Sequence, residues 1–293
     1  MPTILDGKKI AAEIRAEIAD GVRRLRGEKG VTPGIAFVTV GEDPASRAYV
    51  TMKEKGCAEV GIRSRQCSFP ASAGADQILG KIRALNADPA VHGILVQLPL
   101  PAGIDARVIL SSVSPEKDVD GFHPLNVGRM ALGIAGLRPC TPAGVIELLL
   151  RSGGSWSGMD VVVVGRSDIV GKPLAAMLMQ KGAGVNATVT VCHTGTRDRA
   201  ARTRRADIVV AAIGRPRFLK GAMVREGVTV IDVGINRVED RSSPKGCRIV
   251  GDVDFDEVAP KSAAISPVPG GVGPMTVAML LSNTLEAARR CAH

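Results

Sequence analysis

The sequence predicts an α/β protein made of two lobes. Its second half alternates apolar runs of strand length with stretches of helical period, which implies a parallel sheet with helices on both faces. Residues 140–153, CTPAGVIELLLRSG, open on a good helix start, Thr141-Pro142, and carry an apolar face suited to a helix joining two lobes. A chain of 293 residues has core enough for two domains or one large one.

Taken in order, apolar residues at Ile10, Ile14, Ile18, Val22 and Leu25 predict an amphipathic helix over 7–28. GIAFVTVG (34–41) reads as a buried strand, Gly41-Glu-Asp-Pro44 breaks it, and 45–60 is a helix holding the only tyrosine. A connector at 63–73 and a helix near 75–86 lead to HGILVQLPLP (92–101), an apolar strand broken by prolines at its carboxyl end. A polar segment, PEKDVDGFHPLNVGRM (115–130), precedes the helix at 140–153. Beyond it come a strand of four valines after Asp160, a helix from about Leu174, and a strand at 187–193. A basic helix (197–207), a strand at 206–214, a short helix near 220–225 and a strand at 228–236 follow. A hydrophilic insert, RVEDRSSPKGCR, leads to IVGDVDFDEV (249–258), and ISPVPGGVGPMTVAMLLSNTLEAA (265–288) gives a strand, a glycine-rich turn and a closing helix.

Composition bounds the function. The formal net charge of +9 admits nucleic acid, an acidic membrane surface or a polyanionic small molecule as partner. Stacking on nucleic-acid bases needs aromatics among the basic residues, and RDRAARTRRAD (197–207) has none, so a solvated helix face is its expected use. Six scattered cysteines without a C-x-x-C pair, and four histidines without H-E-x-x-H, give no visible metal site or disulfide framework. No apolar stretch approaches the ~20 residues that span a bilayer, and MPTILDGKKIAAEI lacks the design of a signal peptide. The expected compartment is a reducing cytoplasm.

The chemistry centres on DVVVVGRSDIVGKPL (160–174), a strand, a glycine turn at Gly165 and a helix start. Unpaired N–H groups at such a start favour an anion, most often a phosphate. A Walker A loop is excluded: five residues rather than four separate Gly165 from Gly171-Lys172, and Pro173 replaces the magnesium-binding hydroxyl. The dinucleotide fingerprint G-x-G-x-x-G is met loosely, with serine and valine at Ser167 and Val170. The next strand ends in His193-Thr194-Gly195-Thr196-Arg197 rather than in the acidic residue that binds an NAD ribose, while Arg166 projects from the first turn. Hydroxyls and guanidinium groups suit a 2′-phosphate, so NADP is expected over NAD. Solvated surface charge is the alternative for Arg166 and Arg197.

Tyr49 and Lys53 lie one helical turn apart and share a face; they are either a converging pair or an amphipathic edge and a solvated lysine. Gln97 ends a buried strand where ligands of α/β sheets gather, although such a glutamine can also only satisfy backbone groups. Of Asp118 and Asp120, one suits the N–H pair of a heterocycle and the other a loop cap. Gly214 and Gly234 end strands on the ligand edge, and Pro269-Gly270-Gly271 allows close backbone approach or unusual dihedrals.

Together these stretches resemble the methylenetetrahydrofolate dehydrogenase/cyclohydrolase family. The resemblance rests on SRAYVTMKEKGCAEVGI (46–62), HGILVQLPLP, PEKDVDGFHPLNVGR, CTPAGV, VVVVGRSDIVGKP, TVTVCHTGT, VIDVGIN, GDVDF and SPVPGGVGPMT, in the family's order over nearly the whole chain. It implies an N-terminal α/β folate-side lobe (1–139), a Rossmann-like parallel-sheet NADP lobe (140–271) and a C-terminal helix (272–293) returning to the first lobe. It implies oxidation of 5,10-methylenetetrahydrofolate with NADP, then hydration to 10-formyltetrahydrofolate, in one-carbon metabolism and purine biosynthesis, by a cytoplasmic homodimer. Lys53 matches the family's lysine, Tyr49 its stacking tyrosine, Gln97 its strand-end glutamine and Asp120 its pterin-binding aspartate. Val96, Leu98, Pro269, Gly270 and Gly271 fall at the remaining substrate positions. Thr141, Gly165, Arg166, Ser167, Ile169, Val170, Thr194, Gly214 and Ile235 fall at cofactor positions, and no metal is implied. Lysine does such acid–base work near neutral pH only if burial lowers its pKa. Ser266 stands where many members carry threonine. The basic charge suits a polyglutamylated folate, and neither nucleic acid nor membrane is expected as a partner. A dehydrogenase without the hydration step is the alternative enzyme, and a non-catalytic nucleotide-sensing or nucleic-acid-binding protein the alternative of another class.

Overall fold

The computed structural model describes residues 1–182, 184–240 and 246–292, with Pro44 and Ala45 by backbone alone. The elements in order are β1 (Thr3–Ile4), α1 (Gly7–Lys29), β2 (Gly34–Val40), α2 (Pro44–Val60), β3 (Arg63–Phe69), α3 (Ala75–Ala87), β4 (Gly93–Val96), α4 (Ala106–Ser111), α5 (Pro124–Ala131) and α6 (Cys140–Arg151). They continue with β5 (Asp160–Val164), α7 (Gly171–Leu178), β6 (Thr188–Cys192), α8 (Arg199–Thr203), β7 (Ile208–Ala211), β8 (Val228–Asp232), β9 (Asn236–Glu239), β10 (Cys247–Val250), α9 (Phe255–Val258), β11 (Ser262–Ile265) and α10 (Val272–Cys291). The chain divides into two compact units, one of Met1–Ala11 with Thr141–Thr276, the other of Ala12–Cys140 with Val277–His293.

The unit containing residues 12–140 is built on a parallel sheet in the order β3-β2-β4. Ile78, Ile82 and Leu85 of α3 bury against Ala36, Val38, Ile94 and Val96, the alternate residues of β2 and β4. Helix α2 starts where the Asp43 carboxylate accepts from Ser46 N at 2.7 Å, and ends at Gly61 in the left-handed conformation. The carboxyl-terminal helix belongs to this unit from Val277 onward. Its Leu281 and Val277 lie over Gly56 of α2, and Leu285 lies over Gly21 of α1, so that a Cβ at either glycine would press on those side chains. Asn283 Nδ2 donates to the carbonyls of Val119 and Arg138, each at 2.8 Å.

The other unit carries a six-stranded parallel sheet in the order β1-β11-β8-β7-β5-β6. Val161 to Val164 are each at most 5 % exposed, as a strand covered on both faces requires, and each such burial stabilises by about 2 kcal/mol. Strand β5 lies between β7 and β6, whereas β6 is the edge strand, with Thr188 and Thr190 exposed and only Cys192 buried.

Several elements differ from the sequence reading. Residues 63–69 form strand β3 rather than a connector; RSRQCSF buries only Cys67, so no apolar pattern announces it, and it is held by a full-length ladder to β2. Two short helices, α4 and α5, occupy stretches given no helix. The basic segment 197–207 yields only five helical residues, α8. The hydrophilic insert is flanked by an antiparallel hairpin, β9 with β10, and its residues 241–245 lie outside those described. Residues 1–11, which the resemblance assigns to the first lobe, cluster with the six-stranded sheet, where β1 adds in parallel to β11. Among the described residues no helix is long and apolar enough to cross a membrane.

Candidate active site

In the unit of residues 12–140, α2 presents Lys53 inward, 9 % exposed, with Nζ donating to Gln97 Oε1 at 3.0 Å. Gln97 directly follows β4, whose pairing with β2 ends at Val96. Its main-chain N donates to Val38 O at 2.9 Å and its Nε2 to Leu98 O at 2.8 Å, which turns the amide oxygen toward the lysine. Tyr49, one turn before Lys53, is half-buried, and burial pushes its phenol above the ordinary range. A pocket of about 210 Å³ opens beside Gln97, lined among others by Thr39, Ser46, Arg47, Thr51 and Pro99. Val96, 2 % exposed in the core, has only its main chain to offer a ligand, whereas Leu98 is half-buried.

Asp120 joins this cluster electrostatically. Burial holds its carboxyl above the usual carboxylate range, the Lys53 ammonium pulls it down, and Asp118 pushes it up. Beneath it lies the buried Cys140 thiol, which donates to Val119 O at 3.2 Å and is held well above its ordinary pKa by burial and by the charge of Asp120. Asp118 is a loop cap: its oxygens accept from Phe122 N at 3.2 Å, His123 N at 2.8 Å and Asn126 Nδ2 at 2.9 Å. Lys53 and Gln97 are thus in direct contact, Asp120 feels the charge of the lysine, and Tyr49 lies on the same helix.

In the sheet unit, Gly165 takes φ 135 after β5, and a Cβ there would overlap the Ala212 carbonyl, so only glycine closes this turn. Arg166 and Ile169 are exposed on it. The Ser167 hydroxyl accepts from Val170 N at 3.2 Å and Gly171 N at 3.3 Å, and Ser167 O accepts from Lys172 N at 3.1 Å. The first-turn N–H groups of α7 are therefore capped from within the chain, which corrects the expectation that they stand unpaired for an anion. Thr194 is exposed at the tip of a turn closed by His193 and Thr196, past the end of β6. Gly214, with φ 72, and Ile235, 48 % exposed, follow β7 and β8. These positions share the carboxyl edge of the parallel strands, where open α/β sheets take ligands. Thr141 Oγ1 lies 3.1 Å from Thr276 Oγ1. The Pro269–Gly271 turn is engaged with the start of α1, as Lys8 N donates to Gly270 O at 3.1 Å.

Sequence reasoning missed Cys140, Asn283 and the buried pair Asp232 and Asp252. The last two stand in VIDVGIN and GDVDF, and their signal was a carboxylate inside an otherwise apolar strand or beside a glycine. Among the described residues no group of three or more His, Cys, Asp and Glu side chains is placed to hold a metal.

Comparison with known proteins bears on both units. The family model described as tetrahydrofolate dehydrogenase/cyclohydrolase, catalytic domain, matches residues 5–120, and its NAD(P)-binding domain matches residues 139–292. The chain is 55 % identical over 290 residues to a bifunctional protein FolD of Geotalea uraniireducens, covering 99 % of this chain and 100 % of that one. It superposes on the bifunctional FolD of Campylobacter jejuni with a TM-score of 0.93 at 47 % identity, covering 99 % of each chain. The Trypanosoma brucei dehydrogenase-cyclohydrolase, solved with NADP cofactor and inhibitor, gives a TM-score of 0.93 at 41 % identity, covering 99 % of this chain and 98 % of that one.

Proposed function

The chain belongs to the tetrahydrofolate dehydrogenase/cyclohydrolase family, and from that premise we propose that it carries out both of the reactions the family is named for. It oxidises 5,10-methylenetetrahydrofolate to the methenyl compound with NADP and hydrates that product to 10-formyltetrahydrofolate. The unit of residues 12–140 takes the folate and the six-stranded unit takes NADP. The observation that carries this reading is the buried Lys53 amine on the Gln97 amide oxygen at 3.0 Å.

Hydration of a methenyl carbon needs a base for water attack and a proton donor as the ring opens. Lys53 serves both steps. Gln97 holds the amine in one direction, since its other amide end is committed to Leu98 O. Asp120 accepts the N–H groups of the pterin, and Tyr49 offers a π face to the flat folate. The donors around Gly165 fit NADP: an exposed guanidinium at Arg166 and an exposed hydroxyl at Thr194 suit a 2′-phosphate. NADP, when bound, accepts a hydride, and that transfer asks only for positioning and no protein acid or base. Ser167 shapes the turn through its cap, and Ile169, Val170, Gly214 and Ile235 give the cofactor its apolar and main-chain surroundings.

The enzyme acts on polyglutamylated folates as a homodimer in the cytoplasm, feeding one-carbon units to purine synthesis, with no nucleic-acid or membrane partner. Incubation of the purified chain with 5,10-methylenetetrahydrofolate and NADP tests this reading. Equal amounts of NADPH and 10-formyltetrahydrofolate are expected; NADPH with accumulating methenyl compound would leave a dehydrogenase alone.

A further inference from the structure

Two buried carboxylates, Asp232 at 4 % and Asp252 at 0 % exposure, take no part in the chemistry above. Asp252 is saturated with donors: Oδ2 accepts from Ile213 N at 2.6 Å and Gly214 N at 2.8 Å, and Oδ1 from Arg215 N at 2.9 Å and Asn236 Nδ2 at 2.8 Å. Three consecutive main-chain N–H groups converging on one anion form the kind of concavity that elsewhere binds free anions; here the chain supplies the anion itself. Asp232 fixes the backbone that presents Asp252. Its Oδ1 accepts from Gly234 N and Asp252 N, each at 2.9 Å, and its Oδ2 from Val253 N at 2.9 Å, while its own N donates to Ser266 Oγ at 2.8 Å. The fit is close, since a Cβ at Gly251 would overlap the Asp232 carboxylate.

The bonded groups bracket two cofactor positions. Gly214 is itself a donor to Asp252, and Ile235 lies between Gly234, tied to Asp232, and Asn236, tied to Asp252. We propose that Asp252, presented by Asp232, is a positioning residue for NADP: it gathers the loops after β7 and β8 into the shape that receives the cofactor. The proposal rests on the reading that Gly214 and Ile235 line the NADP site. Without the carboxylate, four donors lose their acceptor, and buried N–H groups left unpaired re-form the loops to reach water. The Lys53 cluster belongs to the other unit and shares none of these bonds.

Asp252→Asn keeps the shape and turns one acceptor into a donor facing donors. Asn236→Ala removes one bond of the four. In Asp252→Asn the KM and Kd for NADP are expected to rise by about tenfold or more. The kcat of oxidation at saturating NADP should stay within about threefold and hydration of added methenyltetrahydrofolate should be unchanged. Asn236→Ala should raise the Kd by a smaller factor, and the effect of the double variant should depart from the sum of the two single effects, as one shared network requires. Unchanged NADP affinity in both single variants overturns the proposal while leaving the functional reading intact. Loss of hydration together with NADP binding in Asp252→Asn also overturns it, because the carboxylate would then support the fold at large, and Asn236→Ala, which leaves the Asp252 carboxylate in place, decides the matter if that variant does not fold. A wild-type chain that forms no methenyl product with NADP overturns both the reading and the proposal.

Discussion

Gln97 holds the amine of Lys53 by its amide oxygen at 3.0 Å and is itself held by its amide nitrogen on Leu98 O at 2.8 Å, so the direction of the amine is set by a strand end on another element. A side chain that orients an acid–base group should influence rate more than binding. Gln97→Ala is expected to lower hydration of methenyltetrahydrofolate by about 10- to 100-fold with the folate KM little changed. Gln97→Glu keeps an oxygen acceptor at the amine and should retain more hydration than Gln97→Ala. Equal losses in the two variants would mean that the amide oxygen does not orient the amine.

Arg166 stands exposed on the Gly165 turn. Arg166→Ala should weaken NADP by about 10- to 100-fold and NAD by less than about threefold, the difference being a charge-assisted contact to the 2′-phosphate. Titration of each nucleotide into both proteins checks it; equal losses would assign the arginine to the pyrophosphate or to neither.

Ser167 caps α7 and is also one of the residues proposed to meet the cofactor. Ser167→Ala should cost about 1 kcal/mol of stability in the unliganded chain. Thermal melts without and with NADP separate the two roles, since a lost cap lowers both curves while a lost phosphate contact also shrinks the shift that NADP produces.

His92 is 6 % exposed, and its Nδ1 accepts from Gly34 N at 3.1 Å, a bond that only the unprotonated ring can make. Burial first, and then the Lys117 ammonium, hold its pKa below the ordinary 6.5, with Asp88 opposing. The unfolded chain therefore binds the proton more readily, so the contribution of His92 is complete above about pH 6.5 and is lost as pH falls through the lowered pKa. His92→Asn keeps an acceptor for Gly34 N and does not titrate. Its urea midpoint should fall less than that of the wild type on acidification from about pH 7.5 to 5; parallel falls would place the sensitivity elsewhere.

What was legible in the sequence followed from burial and period. Val161 to Val164 could be nothing but a covered strand, and Ile10, Ile14 and Ile18 spaced a helix face. Strand β3 escaped because its partner's ladder holds it while its side chains face water. At the site, Tyr49 and Lys53 could be placed on one face by spacing alone, but the approach of Gln97 spans 44 residues and needed the sheet. The cap formed by Ser167 needs both its hydroxyl and a turn geometry that the sequence does not display. Asp118 and Asp120 look alike in sequence; only the three donors converging on Asp118 identify it as the loop cap.

The most direct test is the hydration of methenyltetrahydrofolate by Lys53→Met, followed by loss of the methenyl absorbance, with NADP affinity measured on the same protein. Decay no faster than the uncatalysed reaction, with NADP bound as tightly as by the wild type, is the expected result. Hydration at the wild-type rate would contradict it and remove the buried amine from the chemistry.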